Sequence, residues 1–124
     1  MFELHNAQQL LFEYRPMIWR KSALETISSS SGQQVLQNCV EQIRFTQMLV
    51  EMLRSHNLLG EKLYQIIYAS YMTERQPYDI EEILSNITKE YEYIPRSTYF
   101  RLKGRAIKMM DDSLKNMMGV GKAS

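Results

Sequence analysis

Residues 33 to 54 contain no glycine or proline, and apolar side chains recur at three- and four-residue spacing through Leu36, Cys39, Val40, Ile43, Val50 and Leu53. That pattern predicts one long helix with a core-facing stripe. Its second half also places Phe45, Met48, Leu49 and Met52 on a different face. This is more apolar circumference than a single contact on a small domain would cover, and an exposed apolar patch is unusual for a monomer of this size. A chain organised around such a helix must therefore cover two of its faces. Either a preceding helix lies on the second face, or the same helix of a second subunit does. In the second case Phe45, Met48, Leu49 and Met52 are the dimerisation residues.

The rest of the chain favours helix as well. It has only five glycines and three prolines in 124 residues, and few β-branched runs, so the expected class is all-α with a single core. Residues 5 to 27 read as a first helix, with Asn6 able to cap its start and Pro16 expected to break or kink it. The run Ser28 to Gly32 reads as a loop or linker, and Ser31 could cap the helix that follows. Ser55, His56 and Asn57 form a stop, with Gly60 at the boundary of the next element. Leu59, Leu63, Ile66, Ile67, Tyr71 and Met72 then describe a short apolar helix, broken between Thr73 and Pro77. Asp79 and Glu82 form a reciprocal cap for a fourth helix, whose apolar face is Ile80, Ile83, Leu84 and Ile87. The acids Asp79, Glu81 and Glu82 stabilise that helix start rather than form a metal or catalytic site.

Charge is segregated although the formal net charge is only +1. Between Ile94 and Lys108 the chain carries Arg96, Arg101, Lys103, Arg105 and Lys108 without one carboxylate. Pro95 suits a first helical turn, so the last helix should begin at Pro95 or Arg96. Tyr99, Leu102, Ala106, Met109, Ser113 and Met117 share one face, with Met110 and Leu114 bordering it. Arg96, Ser97, Phe100, Arg101, Lys103 and Gly104 lie on the opposite surface, where Gly104 leaves room for a phosphate backbone. Two helices, the second opening with Arg-Ser-Thr and carrying a basic outer face, have the sequence form of a helix-turn-helix. Arg96, Ser97, Thr98, Phe100, Arg101, Lys103, Arg105 and Lys108 are the candidate DNA-binding residues. Cations would neutralise phosphates, while Arg, hydroxyl and aromatic side chains could meet base edges.

The pattern Leu59, Ile66-Ile67, Tyr71, Ile80, Ile83-Leu84, Arg96-Ser97-Thr98-Tyr99-Phe100-Arg101-Leu102-Lys103 and Ala106 resembles region 4 of sigma factors. It resembles more closely the phage-encoded ArpU and RinA type transcriptional regulators, over residues 58 to 115. The resemblance implies a C-terminal helix-turn-helix that binds promoter DNA and activates phage late or lysis genes in the cytoplasm of a bacterial host. Ser97, Tyr99, Arg101 and Lys103 match the start of the recognition helix, and Ala106 its packed side. The sequence departs from the family at Pro95 and in the long connection from Thr88 to Pro95.

The expected organisation is an N-terminal helical dimerisation or interaction region over 1–57, a DNA-binding region over 58–118 and a disordered tail over 119–124. The expected partners are double-stranded DNA, RNA polymerase and a second copy of the chain. A homodimer would set two recognition helices about 34 Å apart. Other functions compatible with the sequence are a helical module that docks on RNA polymerase or a replication protein, and a small phage DNA-packaging subunit. No catalytic residue, metal or cofactor is expected. His5 and His56 have no ligand-spaced partners, Cys39 sits on an apolar stripe, and neither a glycine-rich phosphate loop nor a Ser-His-Asp pattern is present. No segment reaches the roughly 20 apolar residues of a membrane span, so no membrane partner is expected. The lone cysteine and the lack of a signal-like N-terminus point to an intracellular protein. Tyr64, Tyr68 and Tyr71 read as packing residues, and Tyr91 and Tyr93 as neighbours of the basic helix able to stack on or bond to DNA.

Overall fold

The computed structural model describes residues 6–26 and 30–117. Among the described residues five α-helices follow one another: α1 (Ala7–Leu24), α2 (Ser30–Glu51), α3 (Gly60–Ile67), α4 (Ile80–Glu90) and α5 (Arg96–Met117). A 3-10 turn at Met52–Ser55 extends α2, and a π-helical turn at Tyr68–Met72 extends α3. Among the described residues there is no strand, so the fold is all-α. No helix of the described chain is long and apolar enough to cross a membrane.

Asn6 caps α1, its side chain accepting from the Gln9 N–H at 2.9 Å. The break expected at Pro16 is absent, and α1 continues through it. Pro16 is exposed, so the Phe12 carbonyl that lacks a helical donor faces the solvent side. The adjacent Arg15 pins the helix to the end of the π-helical turn. Its Nε donates to the Thr73 carbonyl at 2.9 Å, and its terminal nitrogen to Thr73 Oγ1 at 2.9 Å and the Ser70 carbonyl at 3.4 Å. Ala7, Leu10, Leu11 and Tyr14 are buried ahead of the proline, and Met17 packs against the core beyond it.

The expected linker is shorter than its serines suggest. Ser30, Ser31 and Gly32 fall inside α2, so Ser31 is not its cap, while Ser28 and Ser29 lie outside the described residues, as does the tail from Gly119. Helix α1 packs along α2, with Gln42 Nε2 donating to Glu13 Oε1 at 2.7 Å and Gln47 Nε2 to the Tyr14 hydroxyl at 2.9 Å. The first apolar stripe of α2 is buried at Cys39, Ile43, Val50 and Leu53. Of the second face, Leu49 is 1% exposed and part of the monomer's own core, and Phe45 packs against that core. Only Met48 and Met52 remain open, at 42% and 41%. The monomer's own core thus takes up Leu49 and part of Phe45, leaving the two methionines as the open part of that face.

His56 Nδ1 accepts from the Leu59 N–H at 3.4 Å and closes the turn that leads into α3. At the start of α4, Asp79 accepts from the Glu82 N–H at 3.0 Å, and Glu82 reaches back to the Tyr78 N–H at 2.6 Å. Glu82 also pairs with Arg75. This is the reciprocal cap expected from the sequence, moved one residue upstream at its second bond. The Tyr78 N–H holds the Glu82 carboxyl below its ordinary value, with Arg75 adding to the effect. Glu61 is depressed in the same direction, by the Gln65 amide and then by Arg54.

Groups with depressed folded pKa values stabilise the fold above their unfolded pKa, and that contribution fades as pH falls through the folded value. Thermal melts should therefore show Tm level from pH 7 to about 5 and falling below the ordinary glutamate value of about 4.3. In Glu82→Gln the acid-side fall should be shallower. Asp79→Ala, which removes the cap, should lower stability by about 1 kcal/mol in chemical denaturation.

Helix α5 closes the bundle. Tyr99, Leu102, Ala106, Met110 and Leu114 are buried. The lower half of the expected face is therefore shifted by one residue: Met109 only borders the core and Met117 is exposed. Both registers satisfy helical spacing, and packing of α5 against α1 and α2 selects Met110 and Leu114. A single apolar core joins Ala7 and Leu10 of α1 to Met110 and Leu114 of α5.

Candidate nucleic-acid interface

Five residues, 91–95, separate α4 from α5 and return the chain toward the start of α4. Ile94 is buried and anchors this return, and Lys62 of α3 ties it down through Glu92 at 3.2 Å. The first turn of α5 then lies near the first turn of α4, where Arg96 meets Glu81 at 3.3 Å. This corner is wider than the tight turn of a simple helix-turn-helix.

The eight residues singled out in the sequence divide between two sides of α5. Ser97, Arg101, Arg105 and Lys108 are all exposed and recur at four, four and three residues, a single outward stripe. Gly104 lies on the same stripe, and a Cβ built there would meet nothing within 4 Å. Arg101 and Arg105 have no ion-pair partner among the described residues. Lys108 has only Asp112, one turn on, at 3.8 Å.

Arg96, Phe100 and Lys103 form a second row on the side facing α4 and α1. Arg96 is paired with Glu81, and its guanidinium stands 6.0 Å from the Phe100 ring. Lys103 is half-buried, its ammonium 5.2 Å from the centre of the Tyr71 ring and 5.8 Å from that of Tyr99. Thr98 is half-buried on the flank of the outer stripe away from the second row. The structure therefore brings Ser97, Arg101, Arg105 and Lys108 together on one free surface, and turns Lys103 away from it.

The ring of Tyr99 makes this division rigid. It is 1% exposed, and its hydroxyl lies 2.6 Å from Ser70 Oγ in the π-helical turn. Ser70 Oγ also donates to the Ile66 carbonyl at 2.6 Å, so the Tyr99 hydroxyl is the donor of the shared bond. Phe100 packs edge-on against Tyr99, with ring centroids 5.0 Å apart. Tyr93 is exposed beside the basic helix and Tyr91 is partly so.

Sequence reasoning overlooked Phe12 and Trp19. These are 63% and 79% exposed and share a face of α1 with Pro16, at spacings of four and three residues. The same helical spacing that identifies buried stripes would have found them on the side opposite Leu10, Leu11 and Tyr14. Among the described residues, no group of three or more His, Cys, Asp or Glu side chains could hold a metal ion. Cys39 is buried. Comparison of the chain with protein-family models, with curated proteins and with solved structures finds no match.

Proposed function

We propose that this protein is a sequence-specific, double-stranded-DNA-binding transcriptional regulator that docks the exposed face of α5 on DNA and performs no catalysis. In keeping with the sequence resemblance, we propose a phage-encoded regulator of late or lysis genes, acting in the bacterial cytoplasm. The observation that carries the reading is the stripe Ser97, Arg101, Arg105 and Lys108, on which two guanidinium groups stand exposed without carboxylate partners among the described residues. Cations gathered on one helical face can neutralise phosphates, and guanidinium groups among them can bond base edges in a groove. Gly104 among them permits the DNA backbone to approach the helix closely. Arg96 would join this surface only by exchanging Glu81 for a phosphate. The exposed Met48 and Met52, bordered by Phe45, are the surface proposed for a second copy or for RNA polymerase.

Fluorescence anisotropy with random duplex DNA at two salt concentrations tests the reading. Three phosphate contacts per chain predict a log-log salt slope of about −2.7. Arg101→Ala with Arg105→Ala should weaken binding and reduce the slope by about 1.8, with circular dichroism unchanged. Equal binding by the folded double variant would remove α5 from the interface. Gly104→Ala gives an independent check. It should stabilise the helix by about 0.5–1 kcal/mol, yet weaken DNA binding if the backbone approaches there.

A docking module that engages RNA polymerase or a replication protein is supported by a different observation, the exposed Phe12, Pro16 and Trp19 face. Binding insensitive to salt but lost in Trp19→Ser would favour it.

A further inference from the structure

A cleft of about 390 Å³ opens where α1, the π-helical turn, the start of α4 and α5 meet. That volume falls in the range of small-molecule sites, which commonly combine apolar walls with a few convergent polar groups. Phe12, Tyr71 and Phe100 supply aromatic surface, with Phe12 and Tyr71 edge to face at 5.9 Å. A π-helical turn in the wall is itself a feature that recurs at functional sites.

The charge of the cleft is one-sided. Arg15 is partly buried, and it bonds only neutral groups among the described residues, the carbonyls of Ser70 and Thr73 and the Thr73 hydroxyl, with no carboxylate among them to compensate its charge. Lys103 has no carboxylate partner among the described residues, and its ammonium faces only the Tyr71 and Tyr99 rings. A contact with ring faces leaves ammonium hydrogens available to an acceptor. The one lining acid, Asp79, is committed to the N-terminus of α4 through the Glu82 N–H, where the helix dipole offsets its charge.

We infer that this cleft is a ligand site for a small aromatic carboxylate, with the ring held between Phe12, Tyr71 and Phe100 and the carboxylate against Lys103. Flat aromatic walls select a planar ligand, and two uncompensated cations select an anionic one. The inference is independent of the proposed DNA contact, since it concerns the cleft side of α5.

The test is titration of the full chain with 1-naphthoate and with the neutral 1-naphthalenemethanol, followed by NMR. Naphthoate should perturb Tyr71 and Phe100 ring resonances and bind at least about tenfold more tightly than the alcohol, the scale of one charge-assisted hydrogen bond. Lys103→Met should abolish that preference, while Lys108→Met, on the outer stripe, should keep it. Should Lys103→Met fail to fold, Phe12→Ser, altered at an exposed position, should weaken naphthoate about tenfold through lost ring contact. Equal affinity for acid and alcohol, shifts confined to Trp19, or absence of binding at millimolar naphthoate would each overturn the inference.

Discussion

Truncating Tyr99 to alanine is expected to lower the unfolding free energy by about 4 kcal/mol, read as a drop in the denaturation midpoint with little change in slope. The ring is buried among side chains from several helices, and the cavity left behind would sit under the first turns of α5. The same change removes the donor to Ser70 Oγ in the π-helical turn. Tyr99→Phe separates the two contributions. It keeps the ring and loses only the hydroxyl, so it should cost about 1 kcal/mol. Small domains are stable by only about 5–15 kcal/mol, which leaves Tyr99→Ala close to the limit of folding.

The second large effect is expected at Gly60. A Cβ there would lie 2.5 Å from the Arg54 carbonyl oxygen and 2.9 Å from that of Leu53. Both neighbours are backbone, so a side-chain rotation cannot relieve the clash. Gly60→Ala should therefore cost about 3 kcal/mol, at the upper end of overpacking effects, although alanine is the better helix former. Gly104→Ala is the matched control, because the same substitution on α5 meets open space and should raise stability. Thermal denaturation of the two variants side by side checks the contrast. Similar behaviour of both would mean that helix propensity, and not the approach of the 3-10 turn to α3, decides the outcome at Gly60.

Much of the fold is legible because local signals and packing agree. The Asp79 and Glu82 cap, the entry to α5 at Arg96 and the buried stripe of α2 each rest on residues a few positions apart. Pro16 misleads because its local preference is real but weak against the long-range contacts that hold both halves of α1. The core-facing apolar residues and the Arg15 bonds to Ser70 and Thr73 outweigh one missing donor. The second face of α2 is ambiguous for another reason. Apolar girth shows that something must cover a helix, but it does not identify the cover, and the monomer's core takes Leu49 while leaving Met48 and Met52 open.

The candidate interface is legible in composition and not in aim. Counting cations between Arg96 and Lys108 finds the basic helix. Assigning Lys103 to the cleft and Arg105 to the outer stripe requires the rotation of α5 about its axis, which is set by Tyr99 and Met110. Lys103 is drawn inward by Tyr71, which is distant in sequence, so no local pattern announces its position.

The backbone N–H of Ala7, at the head of α1, donates to Asp111 Oδ1 on α5 at 2.7 Å, across a sequence separation of 104 residues. With the core contacts between the same helices, this bond latches the two ends of the described chain together. Loop-closure entropy grows only slowly with length, so a latch of this span costs little more to close than one half as long. Its kinetic consequence is larger, because a contact between distant parts of the sequence is satisfied only after the helices between have assembled. Hydrogen exchange should therefore find the central amides of α1 and α5 opening in one step of equal free energy. Asp111→Asn should speed unfolding more than it slows folding.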